Sequence, residues 1–143
     1  MRHRPISEVI ATHKLVTTAS DTSVLDAARL MKRESVGAVL VVEDGRLRGI
    51  FTERDALNRV LAEGLPPGDT TLAQVMTADP FTVEESQPFG YALHLMHENG
   101  FRHVPVTRGG KPVGMVSARD ALSPEMAEFE HELERREELT EIL

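Results

Sequence analysis

The 143-residue chain is 41% hydrophobic and 4% aromatic and has no cysteine, so its core is aliphatic, and disulfides, thiolate metal sites and cysteine nucleophiles are excluded. Its formal charge of −7 is concentrated in Ser123–Leu143, where eight acidic residues face only Arg135 and Arg136, leaving −6 there and −1 elsewhere. No basic face for nucleic-acid phosphates and no bilayer-spanning apolar run follow, and Met1-Arg2-His3-Arg4-Pro5 leads into no signal-peptide stretch, so a soluble cytoplasmic protein is expected.

In chain order, Leu15–Thr18 reads as a short extended segment. A helix near Thr22–Glu34 follows, its Val24, Ala27, Ala28 and Met31 spaced i, i+3, i+4, i+7. Ala38–Val42 is apolar at successive positions, as a strand covered on both faces should be. Asp44-Gly45 signals a hairpin turn, and the short strand Gly49-Ile50-Phe51 ends at a helix start. The Gly-Leu-Pro-Pro-Gly run at 64–68 then punctuates the chain. The same series returns: extended Phe81–Val83, a helix near Gln87–Asn99 with Phe89, Ala92, Leu93 and Met96 on one face, strand Val104-Pro105-Val106, turn Gly109-Gly110 and strand Gly114-Met115-Val116. Last, Ser123-Pro124-Glu125 makes a good helix start. Met126, Phe129 and Leu133 give that helix a short apolar stripe, extended irregularly by Leu139, Ile142 and Leu143, which suits packing on its own domain or on a second subunit.

Laid over each other, Val16–Asp55 and Phe81–Asp120 need no gap. Thr17 falls on Thr82, Ala27 on Ala92, Gly49 on Gly114 and Asp55 on Asp120, each 65 positions later. The expected fold is α+β: two strand-helix-strand-strand-helix units over residues 10–64 and 75–122, a linker over 65–74 and an acidic helix over 123–143. Each half is roughly 60 residues with a one-sided sheet, a size that is marginal alone. A pseudo-twofold pairing, with sheets packed together and helices outside, buries both apolar faces and leaves two related clefts at the seam.

Both copies end in Gly, two apolar residues, a hydroxyl, any residue, Arg and Asp: Gly49 to Asp55 and Gly114 to Asp120. These groups suit a ribose phosphate. The hydroxyl sits beside free backbone N–H groups at a helix start, the Arg adds charge-assisted bonds to phosphate, and the Asp accepts from sugar hydroxyls. A hydroxyl followed three residues later by an acid is equally a helix capping box, and the two roles are compatible.

The repeat, the element order and the two Gly-x-x-Thr/Ser-x-Arg-Asp motifs resemble the tandem CBS family, or Bateman module, over roughly Ile10–Leu122. The resemblance implies a regulatory, non-catalytic module that binds AMP, ADP or ATP, with S-adenosylmethionine or NADH as less favoured adenosine ligands, and that associates as a homodimer and signals to a partner protein. It implies that Asp55 and Asp120 hold ribose and that Thr52, Arg54, Ser117 and Arg119 face phosphate. The purine falls to Thr17 with Val36, Gly37, Ala38 and Val39 in the first site, and to Thr82 with Arg102, His103, Val104 and Pro105 in the second. The alternative is a ligand-free dimerisation or interaction module. His94-x-x-His97 places two imidazoles on one helical face without an evident third ligand, so no metal site is expected. With no nucleophile elbow and no P-loop, no catalytic residue is expected either.

Overall fold

The computed structural model describes residues 4–122, 124, 129 and 131–137. The chain opens with helix α1 (Ile6–Ile10). The first unit then comprises β1 (Thr17–Thr18), α2 (Val24–Glu34), β2 (Ala38–Glu43), β3 (Arg46–Thr52) and α3 (Glu53–Asp55), which runs into a π-helical stretch, Ala56–Leu61. Helix α4 (Leu72–Val75) and strand β4 (Thr77–Ala78) follow. The second unit is β5 (Val83–Glu84), α5 (Phe89–Asn99), β6 (His103–Arg108), β7 (Lys111–Ser117) and a 3₁₀ turn, Ala118–Leu122.

One sheet has the order β1-β2-β3-β4 and the other β5-β6-β7. Duplication extends to the register. Thr18 lies opposite Val41 as Val83 lies opposite Val106, and Ala38 pairs with Thr52 as His103 pairs with Ser117. Even the bulge recurs, between Val41 and Val42 and between Val106 and Thr107. Both hairpins turn through two residues of positive φ, 52° and 74° at Asp44-Gly45 and 56° and 85° at Gly109-Gly110, the geometry that matches strand twist.

Ser23 caps α2 by accepting the Asp26 N–H, and the helix ends at Ser35 in the left-handed region; Gly100 ends α5 the same way with less strain. Val24, Ala27 and Met31 are buried as the spacing predicts, whereas Ala28 is exposed, so the apolar stripe is narrower than expected. Along β2, Val39 and Val41 enter the core beneath α2. Ala38 and Leu40 point the other way and join Ile50 in a layer that Met115 of the opposite sheet also packs against. The sheets therefore face each other with helices outside, and both faces of β2 are covered.

Two short segments are exchanged between the units. Ile6 and Val9 of α1 pack into the second unit's core with Val83, Phe89, Ala92, Met96, Val104, Val106 and Val116. Leu72 and Val75 of α4 pack into the first unit's core with Val24, Ala27, Met31, Val39, Val41, Phe51 and Val60. The 65–74 stretch expected as a linker thus carries a helix that closes the first core. Ile6 and Leu72 are fully buried, and each such side chain stabilises its core by about 2 kcal/mol. At the equivalent strand glycines the exchanged segments press close: a Cβ on Gly49 would lie 2.6 Å from Met76 Sδ, and one on Gly114 would lie 3.0 Å from Ile10 Cδ1. In the tail, residues 131–137 are helical with Leu133 exposed, and Phe129 is exposed too. Ser123, Glu125, Met126, Leu139, Ile142 and Leu143 lie outside the described residues.

Candidate functional site

Each closing motif sits where a sheet strand hands over to a helix. In the first, Thr52 Oγ1 accepts the Asp55 N–H at 3.1 Å while Asp55 Oδ2 accepts the Thr52 N–H at 3.0 Å, so the capping box read from the sequence is formed. The cap uses one carboxylate oxygen. The other lies 3.6 Å from Arg59 on the same helical turn. Arg59 also donates to the carbonyls of Val75 and Met76, which ties it to the exchanged segment.

A cavity of about 700 Å³ opens over this motif, within the range of small-molecule sites. Thr52, Glu53, Arg54, Asp55 and Leu57 form one wall, and Asn99, Gly100, Phe101, Arg102 and His103 of the second unit form the other. Asp79, Pro80 and Phe81 complete it from the connecting chain. Phe81 and Phe101 stack with centroids 5.8 Å apart and planes 26° apart, and Phe81 is left 57% exposed. Arg54 spans the seam to donate to the Gly100 carbonyl at 3.1 Å. The surface thus offers a planar apolar platform, the three carboxylates of Glu53, Asp55 and Asp79, and two guanidinium groups within one cavity.

The two residue sets expected from the sequence are regrouped by the fold. Thr52, Arg54 and Asp55 share the cleft with Arg102 and His103, which were assigned to the other set. Gly37 stands at the seam, where a Cβ would approach Glu53 Oε1 at 3.1 Å and His103 Nε2 at 3.4 Å. Val36 is partly buried and Ala38, Val39, Val104 and Pro105 are buried, Val39 and Val104 within the two cores, and none of the five lines the cleft. Thr17 is exposed on β1, and Thr82 lines a separate depression between the two hairpin tips, with Arg46, Glu84 and Lys111. Burial pushes the His103 imidazole below its ordinary range; Glu53 and Asp120 pull it upward and Arg102 and Arg119 oppose them. His94 and His97 are both exposed on α5.

The second motif has a different setting. Asp120 is buried at 8% exposure, and its Oδ2 accepts the Ser117 N–H at 2.7 Å. Its other oxygen lies 2.9 Å from His13 Nε2, and its backbone carbonyl accepts from Arg4 at 3.1 Å. Arg119 is exposed. Phe81, Phe101 and Asp79 on the open side, and His13 on the closed side, escaped sequence reading. The usable signal was small: Phe81 follows Pro80 and Phe101 follows Gly100, so neither belongs to a helical stripe that a core would absorb.

The sequence profile of the CBS domain family matches residues 6–62 and 72–124. The mitochondrial CBS domain-containing protein CBSX3 of Arabidopsis thaliana is 35% identical over 121 residues, 81% of this chain and 59% of the relative. Against other Arabidopsis relatives the chain spans as little as 17% of their length. Among solved structures, CBS domain protein NE2398 superposes with a TM-score of 0.81 at 28% identity, over 87% of this chain and 99% of the other. PAE2072 of Pyrobaculum aerophilum, a CBS domain protein complexed with AMP, gives 0.76 at 25% identity over 87% and 98%. Among the described residues, no helix is long and apolar enough to cross a membrane. The match covers both repeats, and the chain belongs to the CBS domain family as a tandem pair of CBS domains.

Proposed function

We propose that the chain is a regulatory module, not an enzyme, that binds an adenine nucleotide in the cleft over Asp55 and passes that event to a partner protein. The observation that carries this reading is the meeting, in one cavity, of the Thr52–Asp55 motif with the Phe81–Phe101 pair and Arg102. The purine stacks on the aromatic pair, the ribose hydroxyls face Asp55, and phosphate is held by Arg54 and Arg102. A stacked base contributes about 1–3 kcal/mol, a charge-assisted phosphate contact about as much. AMP is the first choice, in keeping with the AMP complex of PAE2072. ADP and ATP come next, and S-adenosylmethionine and NADH after them.

The signal has a physical route. Arg54 bonds the Gly100 carbonyl across the seam, so a phosphate that draws Arg54 away changes a contact between the units. The test is thermal unfolding against AMP, ADP, ATP, S-adenosylmethionine and NADH. Ligand at one hundred times Kd adds about 2.7 kcal/mol. Phe81→Ala lowers AMP affinity about tenfold or more and leaves the weaker affinity for ribose 5-phosphate, which has no base, unchanged. No midpoint shift with any of the five ligands overturns the reading.

A specific observation favours self-association as well. Leu61 is 67% exposed, and Leu122 at the end of the second closing turn is 57% exposed, on surfaces that lie outside the cleft. We propose that they meet a second copy. Sedimentation of the wild-type chain as a dimer and of Leu61→Glu/Leu122→Glu as a monomer is the expected outcome; a wild-type monomer overturns it.

A further inference from the structure

The two closing motifs differ in what stands before their carboxylates. In the exchanged segments, Ile6 and Leu72 fill equivalent core positions, Val9 and Val75 do the same, and Ile10 and Met76 press on the equivalent glycines Gly114 and Gly49. Carried three residues further, that correspondence sets His13 against Asp79. Asp79 lines the open cleft, and His13 occupies the matching place in the second one, in direct contact with Asp120.

We propose that His13 is an internal occupant of the second cleft: its imidazole holds the Asp120 oxygen that would otherwise be free for a ligand hydroxyl, so that the resting chain takes one nucleotide, over Asp55. The inference rests on the reading of the Asp55 cleft as the nucleotide site. Asp120 accepts the Ser117 N–H on its second oxygen, so with His13 in place each oxygen already has a partner. Asp55 has the same cap, but the cation beside its free oxygen, Arg59, is not among the residues that line the cleft.

The segment that carries His13 is fastened along its length. The Arg4 carbonyl accepts the Phe89 N–H at 2.8 Å, and the Arg4 guanidinium lies 5.3 Å from the centre of the Phe89 ring while also bonding the Asp120 carbonyl. Ile6 N–H donates to Gln87 and Ser7 N–H to Glu85, each at 2.9 Å, and Ile10 rests on Gly114. The His13 N–H closes on the Ile10 carbonyl at 3.0 Å, which fixes the turn that aims the ring. A ligand hydroxyl that takes the oxygen facing His13 must displace the imidazole or lift this strap. His13 itself is 36% exposed at its side chain, so it can be replaced without opening a core.

Titration calorimetry with AMP on the full chain tests this. The wild type binds one AMP per chain, and Asp55→Ala removes it. His13→Ala binds two, His13→Ala/Asp120→Ala returns to one, and His13→Ser gives the same count as His13→Ala, while thermal midpoints confirm that each variant is folded. Two equivalent sites in the wild type, or one site in both His13 variants, overturn the inference and leave the nucleotide reading in place. A single wild-type site that survives Asp55→Ala and is lost in Asp120→Ala also overturns it. No AMP bound by either wild type or His13→Ala overturns the nucleotide reading, and this inference with it.

Discussion

The two halves match in strand register, bulge and hairpin turn, yet their equivalent carboxylates meet different worlds. Asp55 faces a cavity walled by two phenylalanines and two arginines; Asp120 is buried against an imidazole. The difference arises partly within the repeat, where Phe81, Phe101 and Arg102 stand at the positions of Val16, Val36 and Gly37. It arises also in the segments that each unit lends to the other, where His13 stands for Asp79. Duplication copies the backbone frame, and the frame copies the cap, but the character of each cleft is set by side chains that differ at matched positions and by the lent segments.

The sharpest way to break the equivalence is at the glycines under those lent segments. A Cβ on Gly49 would sit 2.9 Å from the backbone carbonyl of Thr77 as well as against Met76, and a backbone atom held in a β-ladder cannot step aside. Gly49→Ala therefore costs about 3 kcal/mol, at the upper end for overpacking. Gly114→Ala meets the side chain of Ile10 at longer distances, Cδ1 at 3.0 Å and Cβ at 3.2 Å, so a shift of a few tenths of an ångström relieves it and the cost is about 1 kcal/mol. Urea unfolding measures both; equal losses would show that the two lent segments are equally rigid.

Next in size is the pair of carboxylates. Asp55→Ala removes a capping partner worth about 1 kcal/mol of stability and lowers AMP affinity at least tenfold, about 1.4 kcal/mol. Asp120→Ala removes the bond to the Ser117 N–H and the partner of His13, at a stability cost of about 1–2 kcal/mol, with AMP affinity unchanged. Denaturant unfolding and calorimetry on both variants separate the roles. A matched loss of AMP affinity in the two would mean that the clefts act alike.

Much of the frame was legible because it is periodic. Continuous burial along Ala38–Val41 of β2, the α2 stripe of Val24, Ala27 and Met31, and the positive-φ turn at Asp44-Gly45 are local consequences of local residue choice. Their recurrence 65 positions on made the pairing of two sheets the natural way to cover both. The exchange of α1 and α4 was not legible. Four or five residues with two apolar contacts each carry no pattern that says which core they fill, and only the tertiary arrangement decides. The sequence grouped Arg102 and His103 with Asp120; the fold pairs His103 with Ser117 on the same sheet and also brings both residues into the cavity of Arg54 and Asp55. Ala28, apolar and in phase, is nonetheless exposed, since the helix needs only a narrow stripe to meet one sheet.

The smallest expected effect reads both clefts through one side chain. His103 lines the open cleft, and the charge of Asp120 in the closed one also acts on it. Burial lowers the pKa of its imidazole in the fold, while the unfolded chain protonates near the ordinary value of about 6.5. As pH falls below that value the unfolded state takes up the proton first, so stability declines with falling pH until the folded value is passed. His103→Gln flattens this slope in thermal unfolding measured from pH 7.5 downward. A bound phosphate favours the imidazolium instead, so AMP binding takes up a proton and tightens as pH drops through the same window. Asp120→Asn removes one of the charges that pull His103 upward, which shifts that window to lower pH without closing it. A pH-independent AMP affinity in wild type would place the phosphate away from His103, on Arg54 and Arg102 alone.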